Sequence, residues 1–304
     1  MKKHVLLAAL LAPMATQAAE TIEIQLPEFY GKLNLTVQSS DDSSGKFTEV
    51  NSNASRLGLK GKGELKHGIQ AIYQVEYQTT PDSSASDLSQ RNTFAGLKGA
   101  PGQLIIGTFD TPLKVLQKKV DQFNDLEGDI KSAITVSDNR KGNSVMYTSP
   151  RLYGLQLAAD HVAAEQEGRN DGTSVSLTYD RGPIYFGVAR DTDVEGNDID
   201  VTRVVAQTKL AGVQFGALWE QQEMDDLDAE GWMASLAYKL DMGLTLKAQY
   251  GESDIVNEGM STYSVGADYS LGKGAKAIAF YTDESADDEA KDASYAGMGI
   301  EFKF

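Results

Sequence analysis

The chain has no cysteine, and only 7 prolines and 3 histidines among 304 residues. Without cysteine there are no disulfides to staple the fold and no thiolate for nucleophilic or metal chemistry. His4, His67 and His161 are too few and too scattered to form a metal or catalytic cluster. Also missing is any apolar run approaching the roughly 20 residues that a transmembrane helix needs. The nearest approach is Val5 to Ala12, which follows Lys2 and Lys3 and precedes the small-residue exit Ala15-Thr16-Gln17-Ala18. That is the layout of a secretory signal peptide, so residues 1–18 are expected to be a cleaved leader and residues 19–304 the mature domain. Basic charge is scarce as well. The 28 Lys and Arg face 44 Asp and Glu, for a formal net charge of −16, two units more negative once Lys2 and Lys3 are lost. Such a surface lacks the basic footprint that phosphate backbones require, which excludes nucleic acid as a partner.

What the mature chain does have is alternation. In His67–Thr79, Ile69, Ala71, Tyr73, Val75 and Tyr77 share one face while Gln70, Gln74, Glu76 and Gln78 share the other. The same pattern recurs in Val201–Leu210, Val213–Gln222 and Leu244–Asp254. Side chains of a strand change face at every residue, so each segment has one apolar and one polar side. Sixteen such segments can be read between Phe29 and Phe304. Short connections such as Gly182-Pro183 and Ala211-Gly212 alternate with longer acidic ones: Ser40–Asn53, Thr80–Gln90, Glu165–Gly172, Glu223–Ala229 and Asp283–Ser294. An even strand count with short turns at one end and long loops at the other predicts a closed antiparallel transmembrane β-barrel. The mean hydropathy of −0.34 does not contradict this, because alternation dilutes the average. A soluble sandwich or solenoid also alternates. Its packed core would not tolerate so polar a second face, and Tyr77, Tyr147, Tyr179, Trp219 and Tyr238 lie near strand ends, as interfacial girdles do.

The last segment, Tyr295–Phe304, places Ala296, Met298, Ile300, Phe302 and Phe304 on one face. A chain ending on an aromatic residue after this alternation resembles the C-terminal signal read by the outer-membrane assembly machinery. Other segments are similar to the general-diffusion porins of Gram-negative bacteria. Phe29-Tyr30-Gly31-Lys32-Leu33 resembles that family's first strand, Ser55 to Gly61 its second and Arg91 to Lys98 its fourth. Gly107-Thr108-Phe109-Asp110-Thr111-Pro112 resembles the end of its fifth, where a loop turns into the lumen.

The resemblance implies a 16-stranded outer-membrane barrel, a homotrimer in contact with outer-membrane lipid, that admits ions and small hydrophilic solutes. It implies a constriction loop at about residues 110–138, the longest connection, with Asp121, Asp125, Glu127 and Asp129 as its acidic side; Pro112–Val120 is read as a short helix. Basic wall positions carried over by motif are Lys32, Arg56, Arg91 and Arg140. Parity supports them. Leu33, Leu35 and Val37 face lipid, so Lys32 faces the lumen; Leu57 and Leu59 do the same for Arg56, and Val145 and Tyr147 for Arg140. Arg91 is inward if Phe94 faces out, although Leu97 then points into the lumen. A charge on the lipid face would cost about 2–4 kcal/mol at mid-bilayer. Lys60 shares the parity of Arg56.

Diffusion needs no catalytic residue, cofactor or metal. The acidic runs Glu223–Asp228 and Asp283–Asp292 match no EF-hand spacing and read as solvated loops. Two other functions compete with passive diffusion: a channel selective for a sugar, oligosaccharide or anion, and a barrel enzyme. The first would show a run of inward aromatics. The second would need a Ser/His/Asp constellation near a rim, for which His161, on the lipid parity, is badly placed.

Overall fold

The computed structural model describes residues 25–304 apart from 85, 86, 225 and 226, so the expected leader lies outside the described residues. Sixteen strands follow one another around a single sheet. The first half comprises β1 (Glu28–Asp42), β2 (Gly45–Ser52 and Arg56–Glu64), β3 (Gln70–Thr79), β4 (Leu88–Gln90 and Thr93–Gly99), β5 (Gly102–Asp110), β6 (Arg140–Thr148), β7 (Leu155–Val162) and β8 (Gly172–Arg181). The second comprises β9 (Ile184–Thr192), β10 (Ile199–Leu210), β11 (Val213–Met224), β12 (Leu227–Lys239), β13 (Leu244–Ser253), β14 (Met260–Gly272), β15 (Ala275–Ser285) and β16 (Ala293–Lys303). Every strand pairs antiparallel with its neighbours in sequence, and β16 pairs back onto β1 with Lys32 opposite Lys303 and Leu33 opposite Phe302. The sheet is a closed barrel. Closure leaves no strand edge unpaired, which lets a sheet cross a bilayer where water cannot satisfy the backbone.

The alternation sorts the two faces. Along β1, Leu33 and Val37 are exposed on the outside while Lys32, Asn34, Thr36 and Gln38 are buried within. Outside, near the long-connection end, Trp219 lies opposite Trp232, whose ring is 5.6 Å from that of Tyr250; Tyr250 lies opposite Tyr263, itself 5.8 Å from Tyr281. This chain of aromatics across β11–β15 is one arc of a girdle, where amphipathic rings sit at the headgroup level.

Two of the expected acidic loops are largely strand. Ser40–Asn53 is a hairpin that turns only at Ser43 and Ser44, and Glu223–Ala229 continues β11 and β12 up to Met224 and from Leu227. Polar hairpins need no apolar face above the membrane, so hydrophobic periodicity does not reveal them.

Strands β2 and β4 are each interrupted by a one-residue bulge. Leu35 pairs with Ser52 but Lys32 with Arg56, and Tyr77 with Gln90 but Gln74 with Phe94. A third bulge separates the pairs Gly107–Ser144 and Phe109–Lys141 between β5 and β6. An extra residue shifts the register and flips the face of the residues beyond it. The expected geometry at Arg91 is corrected accordingly. Phe94 faces inward, its ring against buried Phe109, and Leu97 is exposed outside. Arg91 is inward nonetheless, because on its side of the bulge it lies opposite Glu76 and donates its N–H to that residue's carbonyl (2.8 Å). The bulge before Ser144 likewise breaks the parity argument for Arg140.

Candidate functional site

Residues 111–139 connect β5 to β6 and cross the inward face of the sheet. Thr111 starts the segment as an N-cap, its hydroxyl accepting from the Lys114 N–H at 3.2 Å, and Pro112 occupies the first helical turn, where its missing N–H costs nothing. Helix α1 (Pro112–Leu116) runs into a 3-10 turn at Gln117–Lys119, close to the expected helix over Pro112–Val120. Helix α2 (Ile130–Ala133) is capped by Asp129, which accepts from the Lys131 N–H at 3.1 Å.

The segment is held by an apolar and a polar anchor. Leu113, Leu116, Val120, Ile130 and Ile134 are fully buried against inward residues of the wall such as Tyr185, Val205, Leu218 and Met233. Beside them Arg203 of β10, itself inaccessible, donates to Glu220 at 2.5 Å, to Gln117 at 2.7 Å and to Thr135 at 3.0 Å. One guanidinium thus ties both ends of the segment to β10 and β11.

Opposite this anchor, the segment's turn reaches β1 and β2. Asp125 binds Lys32 Nζ at 2.5 Å and lies 3.9 Å from Arg56. Arg56 is also 4.0 Å from Glu76, which accepts from Arg91 Nε at 2.9 Å and from the Tyr30 hydroxyl at 2.9 Å. Arg140 donates to Asp110 at 2.8 Å and to Asn92 at 2.6 Å; Lys118, 3.2 Å away, shares Asp110. All four wall residues carried over by motif border one cavity of about 800 Å³, together with Asp125, Glu127 and Asp129, whereas Asp121 does not. Glu127 accepts from Gln38 at 2.8 Å and Asn51 at 3.0 Å. Lys60, the further inward candidate, also borders this cavity, paired with Glu28 at 3.2 Å.

Asp121 and Asp129 behave differently. Both are buried, and their carboxylates are occupied by the segment's own backbone: Asp121 accepts from Phe123 and Ile130, Asp129 from Asp125 and Lys131. They shape the turn that presents Asp125, whose φ of 68° is a left-handed conformation uncommon for a residue with a Cβ. Burial opposes ionisation of Asp125, but Lys32 and then Arg56 outweigh it and hold its carboxyl below the usual range. Burial, then Asp129, pushes Asp121 well above it, and burial, then Asp138, pushes Asp129 up to about 6.

Glu76, Asp110, Lys114 and Lys118 complete the charge network and were not singled out from the sequence. Glu76 was legible as one polar residue in an alternating strand. Nothing local marked it as the partner of Arg91, since that pairing depends on the bulge.

A family model described as Gram-negative porin matches residues 5–289. The chain belongs to the Gram-negative porin family. This porin is 25% identical over 342 residues to the major outer membrane protein P.IB of Neisseria meningitidis serogroup B, covering 100% of both chains. Solved structures share its fold. The anion-selective porin from Comamonas acidovorans superposes with a TM-score of 0.75 at 17% identity, over 91% of this chain and 99% of that one. Salmonella typhi OmpF in complex with daunomycin gives 0.73 at 16% identity, over 91% and 97%. The trimer form of Vibrio cholerae OmpT gives 0.71 at 15%, over 91% and 99%. The porin is an outer-membrane protein of Gram-negative type that forms a water-filled channel for passive diffusion of ions and small hydrophilic solutes.

Proposed function

We propose that residues 111–139 set the narrowest part of this channel, with Asp125 and Glu127 facing a basic wall of Lys32, Arg56, Arg91 and Arg140. The observation that carries the reading is the reach of Asp125 across to Lys32 and Arg56. Opposed fixed charges at a narrowing orient water and dipolar solutes and favour passage by charge and size. In this reading Asp121 shapes the loop rather than lines the opening, and Asp129 does both, bordering the cavity while its carboxylate holds the turn. Diffusion of this kind asks for no nucleophile, cofactor or metal, so no enzymatic role is assigned. A homotrimer is proposed in line with the trimeric Vibrio relative.

The test is the reversal potential of reconstituted channels in a salt gradient. Arg56→Ala and Arg140→Ala each remove a positive charge from the narrowing and should move selectivity toward cations, by about two-fold in permeability ratio for a single charge in a screened site. Unchanged reversal potentials in both variants would place these residues away from the constriction.

A further inference from the structure

We infer that the lumen is charge-bipolar, acidic at the long-connection end and basic at the short-turn end, and that the channel therefore conducts asymmetrically, passing more current when the long-connection side is positive. The inference rests on the diffusion-channel reading and adds a direction to it.

Individual strands show the division. On the inward face of β15, Lys276 lies near the short turn and Glu284 near the long connection. Eight residues separate them, about 27 Å along a strand and roughly 20 Å along the axis of a barrel whose strands tilt by about 40°. Strand β2 repeats the order, with Glu49 toward the long connection and Lys60 and Lys62 toward the short turn.

At the short-turn end several carboxylates are shared between two cations, while Glu28 meets Lys60 alone and Glu64 accepts from the neutral Gln70 amide. Asp268 lies 3.2 Å from Lys247 and 2.9 Å from Lys276, and Asp180 lies 2.5 Å from Lys119 and 2.9 Å from Arg151. Lys62, Lys98 and Lys209 add inward charge with no ion-pair partner among the described residues. The balance there is positive. At the other end Glu49 and Glu127 accept from the same amide, Gln38 Nε2, at 3.1 and 2.8 Å, and their other donors, Ser40 and Asn51, are neutral. Above them, residues 286–292 set Asp287, Asp288, Glu289 and Asp292 against Lys291. The balance here is negative, and the formal charge of −16 conceals a basic half.

The two zones act separately where the screening length is shorter than their spacing yet comparable with the pore, about 10 Å at 0.1 M salt. Cations are then the counterions of the acidic zone and anions those of the basic zone. With the long-connection side positive, cations enter through the acidic end and anions through the basic end, and both accumulate at the middle. The opposite polarity requires each ion to enter through the zone that repels it, and the middle is depleted. Near 1 M salt the screening length falls to about 3 Å and the asymmetry should vanish.

The experiment is a current–voltage curve on channels of known orientation. Because the chain has no cysteine, Glu167→Cys in the loop between β7 and β8 gives a unique biotin site, and streptavidin added to one compartment reports which side that loop faces. At about 0.05 M KCl the current should be about two-fold larger with the loop side positive, and the ratio should approach one near 1 M. The combined Lys60→Gln, Lys209→Gln and Lys276→Gln variant should lower the ratio at low salt. The salt series on the otherwise native chain stands by itself if that variant does not assemble. Equal currents at both polarities in low salt, or a larger current with the loop side negative, would overturn the inference while leaving the channel intact. A complete absence of conductance would instead overturn the channel reading, and this inference with it.

Discussion

Arg203 is the largest fully buried side chain among the described residues; it pairs with Glu220 on the neighbouring wall strand, and its other donor contacts, to Gln117, Thr135 and the Leu113 carbonyl, run from wall to inserted segment. A buried pair of this kind gains little over an apolar replacement of both partners, but removing one partner strands the other charge. Arg203→Met should therefore destabilise the docked segment by about 3–5 kcal/mol, read as loss of amide hydrogen-exchange protection over residues 112–135. Arg203→Met combined with Glu220→Leu should recover much of that protection. If the double variant is as loose as the single one, the stranded charge is not what destabilises it.

At the scale of elements, the docking of the segment over residues 111–139 depends on pH. Asp129 has a folded pKa raised to about 6 from 3.8, because burial and Asp138 disfavour its charge. An acid whose pKa rises on folding contributes stability that is complete below the unfolded value and is lost as pH rises through the folded one. Protection of residues 121–134, corrected for the intrinsic exchange rate, should thus fall between about pH 4 and pH 7. Asp129→Asn keeps an acceptor for the Lys131 N–H, cannot ionise, and should show a smaller fall; an equal fall would assign the effect to another group. The bulges matter at the same scale. Each lies beside a basic residue of the proposed narrowing, Arg56, Arg91 or Arg140, and each shifts the strand register there.

For the whole molecule, closure is the decisive contact. The Phe304 N–H donates to the Gly31 carbonyl at 3.1 Å and its carbonyl accepts from the Gly31 N–H at 2.9 Å, while its ring stacks on Phe302 at 5.8 Å. A Cβ on Gly31 would lie 2.5 Å from the Phe304 ring, so the glycine leaves room for the terminal aromatic. Deleting Phe304 would leave backbone groups of Gly31 unpaired beside lipid, each costing several kcal/mol. The expected result is a lower yield of heat-resistant, membrane-inserted barrel, with normal unit conductance in those that assemble. Full assembly of the shortened chain would show that the seam closes without it.

The alternation of apolar and polar residues by itself determined the barrel, its sixteen strands and the face that meets lipid. This is because a side chain's face is set by local backbone geometry, residue by residue. It also placed Lys32 and Arg56 inward, because neither inference had to cross a bulge. The positions of Arg91 and Arg140 were decided only by the tertiary structure, since one inserted residue reverses parity without leaving a mark in composition. The same holds for the difference between Asp125 and its neighbours Asp121 and Asp129. All three are carboxylates in one acidic stretch, and only folding reveals which one reaches the opposite wall and which two are spent on the loop's own backbone. The sum of charges was readable from the chain, but its division into an acidic and a basic end required the register of every strand.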